Sequence, residues 1–267
     1  MKVTAFGITD TGKVRAGNED ALLLEEKLGL FVVADGMGGH NSGEVASRMA
    51  MEVIRDAVSR SAAGEAFVVG TVDPGHSREA NLLASAIRLA NRTIFEAAAD
   101  RPEWHGMGTT VVAVLASGNA AAIAHVGDSR VYLLRNRILK QLTADHSLVA
   151  EQQRQGLLTE EQARNSKQKN IITRALGQEP EVLVDLLDLE LLDGDMLLLC
   201  SDGLTGMVSD EEIAALILAR TSLEPACRDL IEQANANGGR DNITAVLLAF
   251  HKGSAFMSGL KGLFANR

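Results

Sequence analysis

Apolar residues bunch and alternate at the start of the chain in the manner of strands. VTAFGI at 3–8 reads as a short strand, and DALLLEE with LGLFVVA fills 20–34 as a pair around a turn at 26–29. Residues 42–60 then repeat apolar groups at helical spacing (Val45, Met49, Val53, Ile54, Val58), with Asn41 or Ser42 as N-cap. Mixed signals at 61–77 predict a connector with a tight turn at 73–75. A second helix is expected over about 79–99, with Leu82, Leu83, Ala86, Leu89, Ala90 and Ile94 on one side.

From 108 the period becomes that of strands. GTTVVAVLAS, AAIAHVGD, RVYLLRN and ILKQLT follow one another at hairpin spacing, with turns at Gly118-Asn119 and Arg135-Asn136. Residues 146–170 turn polar and predict short exposed helices. Strands resume at EVLVDLLDLEL and DMLLLCS, helices follow at 209–219 and 223–236, and ITAVLLAF closes the pattern as a buried strand. Strands and helices thus come in blocks, whereas a doubly wound parallel sheet would alternate them. The expectation is mainly antiparallel sheets packed on each other, with helices outside. One domain over 1–251 is predicted, followed by a tail, 252–267. There Phe256, Met257, Leu260, Leu263 and Phe264 share a helical spacing that suits docking on the domain, a partner or a membrane surface.

Composition narrows the function classes. The net charge is −9 and no Lys/Arg run occurs, so a nucleic-acid partner is not expected. The acidity reads either as plain solubility or as carboxylate gathered at a cation site. Two cysteines, Cys200 and Cys227, stand in Met- and Ala-rich surroundings that suggest buried thiols in a reducing compartment. MKVTAFGITDTGKVR has no apolar core of a secretory signal, and no charge-free apolar run of about 18 residues predicts a membrane span. A cytoplasmic protein is the expectation.

One chemical feature recurs. LGLFVVADG places Asp35 after an apolar strand, AAIAHVGDS places Asp128 and LLLCSDG places Asp202 in the same way. Asp241 in GGRDN stands just before the last strand, and Glu19 and Asp20 precede the strand at 21–25. A single Asp-Gly is an ordinary turn. Several carboxylates on neighbouring strand ends would raise one another's pKa unless cations neutralise them. Oxygen donors without Cys/His pairs at zinc spacing favour Mg²⁺ or Mn²⁺, and such ions can activate a water, so a metal-assisted hydrolase follows. Arg15, shortly before Glu19, suits a tetrahedral oxyanion, although its spacing equally fits a surface ion pair. A phosphate-cradling loop fails in DGMGGHNSG. Gly38-Gly39 is followed by His40-Asn41 rather than Lys-Ser/Thr, and Asn41 stands where a dinucleotide fingerprint needs its third glycine.

With those residues in hand, the chain resembles the bacterial branch of the metal-dependent type 2C (PPM) serine/threonine protein phosphatases. GKVRAGNEDA, FVVADGMGGHNSGEVAS, GMGTTVV, AHVGDSRVYLL, LTADHSL, ITRALG, LLLCSDGL and GGRDNITAVL match in family order from about residue 7 to 250. The resemblance implies an α+β fold, a four-layer α-β-β-α sandwich of two packed antiparallel β-sheets flanked by helix pairs. It implies a centre with two Mn²⁺ or Mg²⁺ ions and a third beside them. Asp35 would bridge two ions, Gly36 would lend its carbonyl, Asp202 and Asp241 would complete the second site, and Glu19 would hold a metal-bound water. Asp128 with Asp202 would bind the third ion, and Arg15 the phosphate. The implied reaction is in-line attack by a metal-bridging hydroxide, without a covalent phosphoenzyme. Members from animals carry a histidine directly after Asp-Gly, where this chain has Met37. His40 is therefore the candidate general acid and substrate contact, with loop packing as its other reading, while His125 and His146 read as strand and turn residues. Residues 146–170 fall where the bacterial family has a flap beside the site. Implied partners are phosphoproteins, among them substrates of a Ser/Thr kinase and the kinase itself, met by a monomer. A phosphatase devoted to one regulatory protein and a non-catalytic phosphoprotein-binding relative are the alternatives.

Overall fold

Most strands of this protein are buried on both faces, which is why their sequences read as continuous apolar runs rather than as alternations. The computed structural model describes residues 1–38, 42–159, 162–163, 166, 168 and 170–252. In chain order the strands are β1 (Lys2–Asp10), β2 (Asp20–Glu25), β3 (Leu30–Met37), β4 (Gly108–Thr109), β5 (Val111–Ser117), β6 (Ala120–Val126), β7 (Arg130–Arg135), β8 (Ile138–Gln141), β9 (Asp185–Glu190), β10 (Met196–Cys200) and β11 (Ile243–His251). The helices are α1 (Ser42–Ala62), α2 (Arg78–Asp100), α3 (Leu148–Arg154), α4 (Asp202–Thr205), α5 (Asp210–Leu218) and α6 (Leu223–Ala236).

Two antiparallel sheets result. One runs β1-β11-β10-β7-β8, and the other β2-β3-β5-β6-β9 with the short β4 beside the end of β3. Alternate residues of each strand feed different cores. On β3, Phe31 and Val33 meet Val131, Leu197, Leu199, Val246 and Leu248 between the sheets. Leu30, Val32 and Ala34 face the other way, onto Ala50 and Ile54 of α1 and Leu83 and Ile87 of α2. On β11, Ala245 and Leu247 pack instead against Leu230 and Ile231 of α6. The order of layers is therefore helices, sheet, sheet, helices, as expected.

Local signals account for most boundaries. Ser77 caps α2 by accepting from the Ala80 N–H, and Ser209 with Glu212 forms a capping box on α5. The β7–β8 hairpin turns on Asn136 and Arg137, both at positive φ, as a two-residue primed turn requires. Two differences stand out. The β3 strand does not stop at Asp35 but continues to Met37, because β4 supplies Thr109 and Gly108 as partners for Gly36 and Met37. The strand at 181–191 begins only at Asp185, where pairing with His125 starts. Asn41, one of the two N-cap candidates, and the apolar residues of the tail lie outside the described residues.

Between the sheets, Leu248 is fully buried among side chains from both. Leu248→Ala should cost about 2–5 kcal/mol, read as a lower denaturant midpoint with an unchanged slope in equilibrium unfolding.

Candidate metal centre

The two sheets bring their carboxylate-bearing ends to one place. Asp20 opens β2 directly opposite Asp35 of β3. Asp202 begins α4 immediately after β10, and Asp241 stands just before β11. The Asp35 and Asp202 carboxyls lie close enough to act on each other's titration. Asp128, on the turn between β6 and β7, is close enough to Asp202 and Asp35 for their charges to act on one another.

Backbone contacts explain why these residues converge. Asp35 is pinned by Thr110, whose N–H donates to the Asp35 carbonyl (2.8 Å) and whose Oγ1 accepts from the Asp35 N–H (3.1 Å). Asn242 ties the segment before β2 to β11. Its Nδ2 donates to the Thr11 and Gly17 carbonyls (2.9 Å each), and its Oδ1 accepts from the Glu19 N–H (2.8 Å). Gly36 lies so close to the start of α1 that an added Cβ would sit 2.2 Å from the Gly43 carbonyl oxygen, so only glycine fits there. The Glu19 carboxylate accepts from the Gly43 N–H at that helix end.

Electrostatics show what this assembly lacks. Burial, then the repulsion of Asp20, Asp202, Asp128 and Asp241, holds the Asp35 carboxyl well above the usual range. Burial pushes Asp128 up to about 8, with Asp202 adding to it. Asp20 rises to about 7, mainly by burial, although Ser201 Oγ (2.7 Å) and Thr244 Oγ1 (2.6 Å) both donate to its Oδ2. Burial and then Asp241 raise Asp202, and burial raises Glu19 against the pull of Arg15. Among the described residues, the buried Asp20 Oδ1 and Asp128 Oδ1 have no hydrogen-bond partner. Orphaned carboxylate oxygens in a cluster of like charge fit hard divalent cations, which want several oxygen ligands and supply the missing positive charge.

Arg15 reaches this cluster from its exposed rim, with Nη2 2.7 Å from Asp241 Oδ2. Of the residues expected at a site, Asp35, Gly36, Asp202, Asp241, Glu19, Asp128 and Arg15 are thus drawn to one region. His40 lies outside the described residues, between Gly38 and Ser42. Asp20 was visible in the sequence only as a neighbour of Glu19. Its role emerges from the register that sets it opposite Asp35. A cavity of about 570 Å³ opens outward from Asp128 and Asp202 between Val149 and Ala150 of α3 and Ser209 and Asp210 at the start of α5. The α3 helix belongs to the polar stretch expected to flank the site.

A second cluster lies behind Asp128. His125, His146 and Asp185 bring one potential ligand atom each within 4.8 Å of one another. The imidazoles stack, with centroids 4.7 Å apart and planes at 12°. The Arg174 guanidinium stands among them, 2.6 Å from Asp185 Oδ1 and 3.0 Å from His146 Nε2.

Comparison with known proteins places the chain. Residues 13–248 match the family described as Protein phosphatase 2C. The serine/threonine phosphatase stp of Listeria innocua is 40% identical over 243 residues, which cover 90% of this chain and 93% of that protein. The crystal structure of the Mycobacterium tuberculosis serine/threonine phosphatase PstP/Ppp superposes with a TM-score of 0.83 at 36% identity, covering 94% of this chain and 99% of that one. A structure of the PstP catalytic domain in complex with 2 manganese ions superposes with a TM-score of 0.79 at 35% identity over the same shares.

Two outcomes follow from the charges. Asp35→Asn relieves repulsion in the metal-free protein, so its Tm should rise by about 2–4 °C for each kcal/mol relieved. The same variant should lose the stabilisation that Mn²⁺ gives the wild type, roughly 2.7 kcal/mol at a hundredfold excess over Kd. Thermal denaturation with and without metal reads both. His125 supplies the second outcome. Burial, with His146 assisting, lowers its pKa against the Ala144 carbonyl, Asp185 and Asp145. The unfolded chain therefore takes up a proton that the folded chain refuses, and stability is lost as pH falls through about 6.5. His125→Gln, which keeps a donor for Ala144, should flatten that part of the Tm–pH curve.

Proposed function

The chain belongs to the Protein phosphatase 2C family and is a metal-dependent serine/threonine phosphatase by that membership, and we propose that it hydrolyses phosphoserine and phosphothreonine in proteins by direct attack of water, without a covalent phosphoenzyme. The observation that carries this reading is the set of mutually repelling carboxylates with two orphaned buried oxygens. In the proposal Asp35, the Gly36 carbonyl, Asp202 and Asp241 would hold two Mn²⁺ or Mg²⁺ ions, and Asp128 with Asp202 would hold a third. Manganese in the related PstP domain supports the choice of metal. When bound, the ions supply a water acidic enough to be deprotonated near neutral pH and positive charge for the phosphoryl oxygens.

The protein's own groups do the rest. Glu19, set on the Gly43 N–H, orients water at the centre. Asp20 is held at its Oδ2 by Ser201 and Thr244, which leaves its buried Oδ1 without a hydrogen-bond partner among the described residues. The Arg15 fork, already at the rim beside Asp241, takes two oxygens of the arriving phosphate. His40, three residues after Met37, protonates the departing Ser or Thr oxygen. Residues 1–251 are the catalytic domain in this reading. It acts as a monomer in the cytoplasm, on phosphoproteins that include substrates of a Ser/Thr kinase and the kinase itself. No helix among the described residues is long and apolar enough to cross a membrane.

Chelation should abolish hydrolysis of an aryl phosphate and Mn²⁺ should restore it, while Asp35→Ala falls to background and Arg15→Ala loses about 10²-fold in kcat/KM. Full activity in EDTA overturns the reading. His40→Ala should slow phosphopeptide hydrolysis by about 10²–10⁴-fold and leave the aryl phosphate, whose leaving group needs no proton, nearly unchanged. Equal losses on both substrates would remove His40 from the acid's role.

A further inference from the structure

The cluster of His125, His146, Asp185 and Arg174 sits outside the carboxylate centre and has ligand-type atoms close together. Its geometry is not that of a metal site. Near-parallel stacked imidazoles aim their in-plane lone pairs along separate lines rather than at one point. His146 Nδ1 is already taken by the Gly127 N–H (3.0 Å), and Nε2 stands between Arg174 Nη1 at 3.0 Å and Asp185 Oδ2 at 3.3 Å. The cation that balances Asp185 is the Arg174 guanidinium.

What the cluster holds is the turn that presents Asp128. His146 grips Gly127 twice, by its Nδ1 and by its own N–H, which donates to the Gly127 carbonyl (3.0 Å). The preceding Asp145 takes Arg130 in a two-pronged pair, Nε to Oδ1 at 2.9 Å and Nη2 to Oδ2 at 2.7 Å. Asp145-His146 thus brackets the segment 127–130 from both sides. Gly127 has no slack. Its φ is +106°, and a Cβ there would stand 2.6 Å from Thr110.

The same dipeptide roots the polar stretch that flanks the cavity. Thr173 N–H donates to the His146 carbonyl (2.8 Å), Leu148 N–H donates to the Ile171 carbonyl (2.9 Å), and Ser147 bridges Ile172. Chain leaving this root carries Val149 and Ala150 onto the cavity wall that begins at Asp128.

We propose that His146 is a positioning residue that aims the Asp128 carboxylate through the Gly127 peptide and couples that aim to the root of residues 147–172. Removing the Nδ1 acceptor leaves the Gly127 N–H unpaired, a buried donor the peptide can satisfy only by turning, and Asp128 turns with it. Any group that presses on α3 bears on the same joint, so occupancy of the cavity and of the cation held by Asp128 affect each other reciprocally. The inference rests on the phosphatase reading for what Asp128 binds.

Two substitutions separate the two edges of the ring. His146→Asn places an amide oxygen where Nδ1 accepts from Gly127 and gives up the Nε2 side. His146→Gln reaches the Nε2 side and gives up the Gly127 contact. Both lose the stack on His125, so the metal-free Tm should fall in both. In calorimetric titration with Mn²⁺, His146→Gln should weaken the weakest binding step by about tenfold, while His146→Asn stays near wild type. Equal weakening by the two, or none by Gln, overturns the inference while wild-type binding and turnover stand. Wild type that binds no Mn²⁺ overturns the phosphatase reading, and the inference with it. Should His146→Gln fail to fold, His146→Ser, too short for either contact, replaces it in the same comparison.

Discussion

Like charges held together in a crowded place are the constraint on which this structure turns. Burial first, and then the repulsion of Asp20, Asp202, Asp128 and Asp241, raises the pKa of Asp35, and burial with Asp202 raises that of Asp128. No segment would gather such groups for its own stability, so the cohesion has to come from elsewhere. It comes from three apolar layers, one between the sheets and one under each helix pair, in which both faces of β3, β10 and β11 are engaged. The helices matter to the chemistry because they make the sheets rigid enough to hold the carboxylates against their repulsion.

Precision at the centre is supplied by polar groups that carry no charge. Thr110 clamps the Asp35 backbone on one side and meets Ser129 Oγ on the other (2.7 Å), so the strand with Asp35 and the turn with Asp128 share a joint. Ser201 and Thr244 place Asp20, and Asn242 places Glu19. Each makes contacts with good geometry in a poorly solvated setting, where a misplaced donor is costly. These residues hold the shape of the site.

The same economy extends outward. Asp145 and His146 leave strand β8 only a few residues behind, yet they fix the Asp128 turn and start the segment that walls the cavity. Arg130 continues the chain of contacts by donating to Tyr132 Oη (2.8 Å), which donates to Asp210 at the start of α5 (3.0 Å). Both walls of the cavity are therefore linked to the loop at its inner end.

The sequence by itself determined most of the elements, their block order and the recurrence of carboxylates at strand ends. Those depend on local period and residue chemistry, as in 42–60 or in the strand–Asp–Gly pattern at Asp35 and Asp202. The sequence places the β7–β8 turn at Arg135-Asn136, whereas it forms one residue later on Asn136-Arg137, since nothing in an arginine announces a positive φ. Tertiary structure alone decided the rest. That Asp20 stands opposite Asp35 follows from strand register, and that Ser201 reaches Asp20 across 181 positions follows from how the sheets stack. Neither is written in any local window, because each is settled by long-range packing that fixes distances between segments the sequence leaves free. His125 and His146 make the same point. Read singly they are a strand residue and a turn residue, and only the fold stacks their rings behind Asp128.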